Sequence, residues 1–519
     1  MGIPVYFKSI LQTYPDVIEM IPESVDYLSF DLNCAIHPCC RNLSDESKMR
    51  ECLFEKIKEC IQLTKVKKQI YFAIDGPAPR MKMEQQRQRR LKSKSTLWDT
   101  NAITPGTQFM EDLHLYLNKQ LPTLQINYIL SDSDHPGEGE HKLMKWIDST
   151  DVSSTHMVYG LDADLIMLSM LRKQSIHLLR ERTEYNLEET EDKYVSLNIS
   201  KFQSHLYDYL SVRNVSKQQV IYDYICMCFL LGNDFLPPIP SIQLRYKGHE
   251  RLLFVYRKLQ ENYSGCFYIY DSVKNQLHVP YFKVFLHELT KYEKDDIQQT
   301  IEIRKKQEQS IKRRFSKLSH LYIQGKLDQS HPQWEEFECH IPLFHRKDEI
   351  RCFQTKIHKP LYYMKCLYPN EEWSPAWKSV LQEGIKQMCQ DYLSAYLWTV
   401  SYYFDECISW KWYSPHIYAP LISDVSSYVS SKETFDFLKK DSIPYTPEEQ
   451  LCLVLPRHSH NLLRSKKKIQ PEEYYPVSAP SSMFLKRYLW ECHPWLPHYI
   501  GTTHNIVRND YIDSWSPNL

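Results

Sequence analysis

The chain has 519 residues, and its 64 Lys+Arg against 64 Asp+Glu give a formal charge of zero. An apolar fraction of 42% with 13% aromatics supports a sizeable buried core and excludes a mainly disordered chain, which lacks the apolar surface to offset its ordering entropy. No stretch approaches the ~20 continuous apolar residues that cross a bilayer. The N-terminal segment has no unbroken apolar run followed by a small-residue cleavage site, and Tyr6 stands where a myristoylation signal wants Ser or Thr. A soluble, intracellular protein is expected. Its 15 cysteines are scattered, many within apolar runs such as Ile225-Cys226-Met227-Cys228-Phe229. Reduced, buried thiols are therefore expected rather than a disulfide framework or a zinc site.

Residues 1–240 alternate short apolar runs with helical spans. Tyr27-Leu28-Ser29-Phe30 ends at Asp31. A helical stretch over 45–64 leads to Gln69-Ile70-Tyr71-Phe72-Ala73-Ile74, which ends at Asp75-Gly76-Pro77. Thr104-Pro105-Gly106-Thr107 opens an amphipathic run through Phe109, Met110, Leu113 and Leu117. Three further apolar runs follow: 126–130 before Ser131-Asp132, 156–159 before Gly160-Leu161-Asp162, and 176–179. Such alternation predicts βαβ units, and so an α/β fold with a mostly parallel central sheet flanked by helices. This catalytic core is assigned to 1–247. A helical linker region is expected over 248–368, and a second, aromatic-rich region over 369–519 that packs on the core.

The acids fall at telling places. Asp31, Asp75 and Asp162 each follow a predicted strand, and in an open parallel sheet ligands bind outside the carboxyl ends of the strands. A lone strand-terminal Asp is more often a turn residue or helix cap. Here, however, Glu138 and Glu140 flank Gly139 just before the helical run 143–147, and Asp162 and Asp164 repeat that two-residue spacing. Asp234, in Leu231-Gly232-Asn233-Asp234-Phe235-Leu236-Pro237, makes seven. Seven carboxylates in one site repel one another until some take up protons, unless divalent cations neutralise them. An all-oxygen donor set suits Mg²⁺ or Mn²⁺, and two such ions form the clamp used for in-line attack on a phosphodiester.

A basic run begins directly after Asp75. Arg80, Lys82, Arg87, Arg89, Arg90, Lys92 and Lys94 face one acid, Glu84. Lys82, Gln86, Arg89 and Arg90 recur at i, i+4, i+7 and i+8, one face of a helix. Converging cations and an amide suit a terminal phosphate. Acids beside bases point to hydrolysis of a nucleic acid.

These segments resemble the XRN-type 5′→3′ exoribonucleases. The likeness rests on the opening MGIP, Phe30-Asp31-Leu32-Asn33, the run from Ala73 to Arg87, PGEGEHK over 136–142, YGLDADLIM over 159–167, LGNDFLP over 231–237, YEKDDI over 292–297, and the aromatic segment from Ser409 to Asp424. It implies a flap-nuclease or PIN-like core that requires Mg²⁺ or Mn²⁺, with two ions. The expected activity is digestion of 5′-monophosphorylated RNA to nucleoside monophosphates, in RNA decay. By motif position Asp31, Asp75, Glu138, Glu140, Asp162, Asp164 and Asp234 would be metal ligands. Lys82, Gln86, Arg89 and Arg90 would form a 5′-phosphate pocket. His37 would stack on the leading bases with Trp398 as its partner aromatic, and Pro79 would lie where RNA enters and help exclude a duplex. Base stacking ignores base identity, which suits a nuclease of any sequence.

The resemblance also carries expectations about context: a monomer in the cytoplasm with the nuclear branch left open, and decapping or RNA-processing factors as candidate protein partners. The spacer after the basic helix is short, no zinc knuckle is evident, and a compact member without the long carboxyl-terminal extension is expected. Two alternatives stand beside this reading. One is a DNA 5′ exonuclease or flap nuclease on the same fold, against which this chain of 12 Gly shows no helix-hairpin-helix motif. The other is an inactive RNA-binding scaffold, against which all seven acids are present.

Overall fold

Seven strands form the main sheet in the order β1-β7-β6-β5-β2-β3-β4. The computed structural model describes residues 3, 6–92, 97–182, 193–212, 215–263, 265–327, 331–334, 337, 358–368, 373–416, 418–435, 438 and 440–464. Most of the MGIP start, Lys94 and the tail beyond Arg464 lie outside them. Strands β2 (Tyr27–Asp31), β3 (Gln69–Ala73), β4 (Tyr128–Ser131), β5 (Thr155–Tyr159) and β6 (Ser175–Glu181) are the five apolar runs of the sequence, and they pair in parallel. Two strands of this sheet go beyond the sequence reading. β7 (Tyr194–Asn198) adds antiparallel to β6, and the two-residue β1 (Ile18–Glu19) adds antiparallel to β7.

Both faces of the sheet are buried, as the apolar strand sequences require. The period of two sends Leu28, Phe30, Ile70, Phe72, Met157 and Tyr159 to one face. There they meet α2 (Leu32–Cys40), α3 (Glu46–Thr64) and α5 (Gln108–Gln120). The register sets Phe30 beside both Phe72 and Tyr159, with ring centroids 5.2 and 5.6 Å away. Tyr71, Ala73, Val158, Ile176 and Leu178 point to the other face. That face is covered by α1 (Tyr6–Thr13), α6 (Gly139–Asp148), α7 (Ala163–Met170), α8 (Ile199–Leu210) and α9 (Lys217–Phe229). The same cluster continues into α10 (Gly248–Asn262), α11 (Val279–Thr290) and the helix Lys378–Phe404, which contributes Cys389, Tyr392, Tyr396, Trp398 and Tyr403. Among the described residues no helix is long and apolar enough to cross a membrane.

The strand order explains where a site can form. The chain adds β3 and β4 on one side of β2, then returns to add β5 and β6 on the other. The switch point thus lies between the carboxyl ends of β2 and β5, where a crevice opens. Asp31 and Asp162 flank it.

Candidate active site

Three of the acids stand at helix starts, where a carboxylate ordinarily caps the helix. Asp45 and Asp99 do so, accepting hydrogen bonds from Ser47 N and Asn101 N. Asp31, Glu138 and Asp162 hold the same position before α2, α6 and α7, yet none caps with its side chain. Their carboxylates turn into the crevice instead. Glu140 and Asp164 follow in the first turns of α6 and α7, where the positive end of the helix dipole favours negative charge.

The seven acids form one electrostatic cluster. Burial, then the Asp75 and Asp162 carboxylates, raise Asp31 to about 8. Burial and Asp234 raise Asp164 to about 7. Burial, with Asp164 and Glu138 nearby, pushes Glu140 well above the usual carboxylate range. Asp75 Oδ1 accepts the Gly139 N–H at 2.6 Å, which ties the end of β3 to the start of α6. This close approach needs glycines. A Cβ on Gly139 would lie 3.1 Å from Asp31 Oδ1 and 3.3 Å from Asp75 Oδ1, and one on Gly76 would strike the His135 carbonyl. Lys142 completes the scaffold: its ammonium bonds Ile74 O at 2.9 Å and Asp132 O at 2.8 Å, linking the loops after β3 and β4.

Lys82 does not sit with the outer basic residues of α4 (Arg80–Lys92). Its ammonium lies 2.5 Å from Glu138 Oε2 and 2.8 Å from Asp234 Oδ2. Burial alone would depress it, but Asp234, Glu138, Glu140 and Asp164 hold it well above the usual lysine range. Side chains of a helix lean toward its N-terminus, and Lys82 is in the first turn, so it reaches back to the sheet edge. Gln86 is buried one turn on, and Arg90 Nε bonds Thr104 Oγ1 at 3.0 Å. Arg89 is exposed. His37 lies on α2, half-buried, and burial with the Arg89 and Arg90 charges lowers it to about 4. It is a neutral ring near those guanidinium groups.

Two of the expected RNA contacts are buried. Trp398 is fully buried. Its indole N–H donates to Ser409 O at 2.8 Å, and its ring packs on Tyr402 and Phe235. It packs here as a core tryptophan. Pro79 is also buried, and its carbonyl accepts the Lys82 N–H at 2.9 Å. It starts the basic helix and presents no exposed ring to wedge a duplex.

The cluster suits hard divalent cations. Asp31 Oδ1 and Asp164 Oδ2 are buried oxygens without a hydrogen-bond partner, a costly condition that a cation relieves. Ligand atoms of Asp31, Cys34 and Asp162 lie within 4.8 Å of one another, as do those of Glu138, Glu140 and His141. The Cys34 thiol donates to Asp31 Oδ2 at 2.9 Å, and burial with Asp31 beside it holds it well above the usual thiol range. Two of the three ligand atoms in that first group are carboxylate oxygens. His141 is lowered to about 3 by burial and Lys82, leaving a neutral ring against Tyr402, with centroids 3.9 Å apart.

Sequence reasoning missed the aromatic support of this site. Tyr402 donates its hydroxyl to Glu138 Oε1 at 2.9 Å, across 264 residues of chain. Burial, Asp164 and Glu140 hold the Tyr403 hydroxyl well above the usual tyrosine range. The fully buried Arg80 places its guanidinium 4.5 Å from the Tyr413 ring centre, while its N–H donates to Trp410 O at 2.8 Å. The aromatic segment thus clamps the start of the basic helix.

Known proteins resemble the chain over most of its length. The chain is 27% identical to 5′-3′ exoribonuclease 1 of Homo sapiens over 95% of its own length and 33% of that protein. It is 28% identical to 5′-3′ exoribonuclease 1 of Saccharomyces cerevisiae, covering 89% of this chain and 40% of the relative. It therefore spans less than half the length of these relatives. Among solved structures, human GEN1 in complex with Holliday junction DNA overlays with a TM-score of 0.33 at 16% identity, covering 72% of this chain and 81% of that one. The family model described as XRN 5'-3' exonuclease N-terminus matches 1–97 and 91–182, which hold six of the seven acids and the basic helix. A second, described as Xrn1 helical domain, matches 214–339 and 345–474, with Asp234, Tyr402 and Tyr403. With its acids and its aromatic helix both inside those matches, the chain belongs to the XRN 5′-3′ exonuclease family.

Proposed function

We propose that this chain is a 5′→3′ exoribonuclease that hydrolyses 5′-monophosphorylated single-stranded RNA to nucleoside 5′-monophosphates. One observation carries the reading: seven carboxylates from separate strand ends and helix starts meet at the switch point of a parallel sheet, and a basic helix begins beside them. Asp31, Asp75, Glu138, Glu140, Asp162, Asp164 and Asp234 would hold Mg²⁺ or Mn²⁺, two ions in our reading, which when bound supply a clamp on the attacking and leaving oxygens of the scissile phosphate.

The remaining groups bind and orient. Gln86, Arg89 and Arg90 lie farther along α4 than Lys82 and are suited to the terminal phosphate, one charged guanidinium being exposed to meet it. Lys82, whose ammonium bridges Glu138 and Asp234, lies within the acid cluster rather than beside those residues. His37, neutral at physiological pH, offers a flat ring near Arg89 and Arg90 for the leading base.

Matched oligonucleotides test the proposal. With Mg²⁺ the protein should degrade 5′-monophosphorylated RNA, act poorly on 5′-hydroxyl RNA and on 5′-monophosphorylated DNA, and stop when the cation is chelated. Faster hydrolysis of DNA, or undiminished activity in chelator, would overturn it.

A further inference from the structure

Gln450 is a fully buried polar residue that neither the acid cluster nor the basic helix accounts for. It sits on the helix Pro447–Val454, whose start is fixed by a capping box between Thr446 and Glu449. That helix lies against α4. Its placement depends on Gly106, whose φ is +89° and where a Cβ would come within 2.9 Å of Leu451 Cδ1.

Two hydrogen bonds define what Gln450 does. Its Oε1 accepts the Ala78 N–H at 2.6 Å. A backbone N–H can only donate, so this bond fixes which end of the amide is oxygen. Gln450 Nε2 must then donate onward, and it meets Gln86 Oε1 at 3.3 Å. That contact fixes the second amide in turn. With its oxygen turned toward Gln450, Gln86 points its NH₂ group the other way, and a phosphate oxygen accepts from NH₂ but repels a carbonyl.

We infer that Gln450 is a positioning residue: it relays the polarity of the Ala78 N–H through two side-chain amides, so that Gln86 offers donors to the 5′-phosphate of the substrate. The inference rests on the proposed phosphate pocket. It also ties the pocket to the catalytic edge, because Ala78 belongs to the turn that carries Asp75.

The readout is the ratio of kcat/KM on 5′-monophosphorylated RNA to that on 5′-hydroxyl RNA, with Tm measured for every variant. Gln450→Met keeps the length but breaks the relay, leaving Gln86 free to turn. Its ratio should fall about tenfold, with activity on 5′-hydroxyl RNA within about twofold of wild type. Gln450→Glu still accepts from Ala78 but cannot donate, so Gln86 must turn its NH₂ to the new carboxylate and its oxygen to the phosphate. Its ratio should fall further than that of Gln450→Met, and it is read alone if the Met variant does not fold. Gln86→Ala should lower the ratio, and adding Gln450→Met to it should lower the ratio no more. Leu451→Ala, which loosens the same helix without touching the relay, should lower Tm and leave the ratio in place.

A ratio preserved in both Gln450 variants overturns the inference while leaving the pocket standing. Equal losses on both substrates, or a ratio lowered as much by Leu451→Ala, would show that the helix acts only as structure. A wild-type protein without 5′-phosphate preference would overturn the pocket and this inference with it.

Discussion

Tyr402→Phe removes one oxygen atom and little else. The hydroxyl donates to Glu138 Oε1 at 2.9 Å inside the protein, while the other oxygen of that carboxylate faces Lys82. The ring itself is held independently, stacked on Trp398 with centroids 4.7 Å apart and packed at a tilt against His141 at 3.9 Å. Packing should therefore survive, and the loss should fall on the orientation of Glu138. A hydrogen bond to a charged group contributes ~1.5–3 kcal/mol. If Glu138 holds a cation, that energy converts to about tenfold to hundredfold weaker binding at 1.4 kcal/mol per decade, the range seen when a group orienting a metal ligand is removed. Titrating Mn²⁺ by electron paramagnetic resonance, and by the concentration that restores hydrolysis, measures it twice. The variant should need correspondingly more Mn²⁺, reach a near wild-type rate at saturation, and melt close to wild type. Mn²⁺ affinity within about twofold of wild type would refute the assignment of Tyr402 as the support of a metal ligand.

Asp164→Asn should abolish hydrolysis while leaving the fold and much of the RNA affinity in place; near wild-type turnover in Mg²⁺ would remove Asp164 from the catalytic set. Asp31 and Asp164, held up at about 8 and about 7 from an ordinary 3.8, bind protons more tightly folded than unfolded. Their stabilising effect is present at low pH and lost as pH rises through those values. Above the ordinary histidine range, where His37 and His141 no longer oppose the effect, the Tm of cation-free protein should thus fall between about pH 7 and 8, and Mg²⁺ should raise Tm more at the upper end; an equal rise at both would contradict the clustering. Phe30→Ala, between Phe72 and Tyr159, should cost about 3–5 kcal/mol in chemical denaturation, and a loss below about 1 kcal/mol would mean the two rings close over the gap.

The parallel half of the sheet was legible because a strand buried on both faces must be apolar, and four of the five runs stop at a polar turn carrying an acid. β7 escaped because Tyr194-Val195-Ser196-Leu197 is short and mixes polar with apolar residues, with nothing local to mark it as an added antiparallel edge. The acids were legible for a related reason: two-residue spacing at a strand end or helix start is local geometry. Helical spacing groups Lys82 with Arg89, because spacing records the face of a helix but not that a first-turn side chain leans back past the helix start. Tyr402 and Gln450 reach their partners across 264 and 364 residues, a separation at which periodicity carries no information. Trp398 shows the converse. A tryptophan in an aromatic run reads the same whether it stacks on a base or on Tyr402, and only its burial decides.

The direction of attack tests the central proposal most directly. A single-stranded RNA with a labelled 5′-monophosphate should release its label in Mg²⁺ as a nucleoside 5′-monophosphate from the first turnover, with no labelled intermediate lengths, and Asp164→Asn should release none. Label retained on progressively shorter fragments, or released on oligonucleotides cut from within, would contradict it.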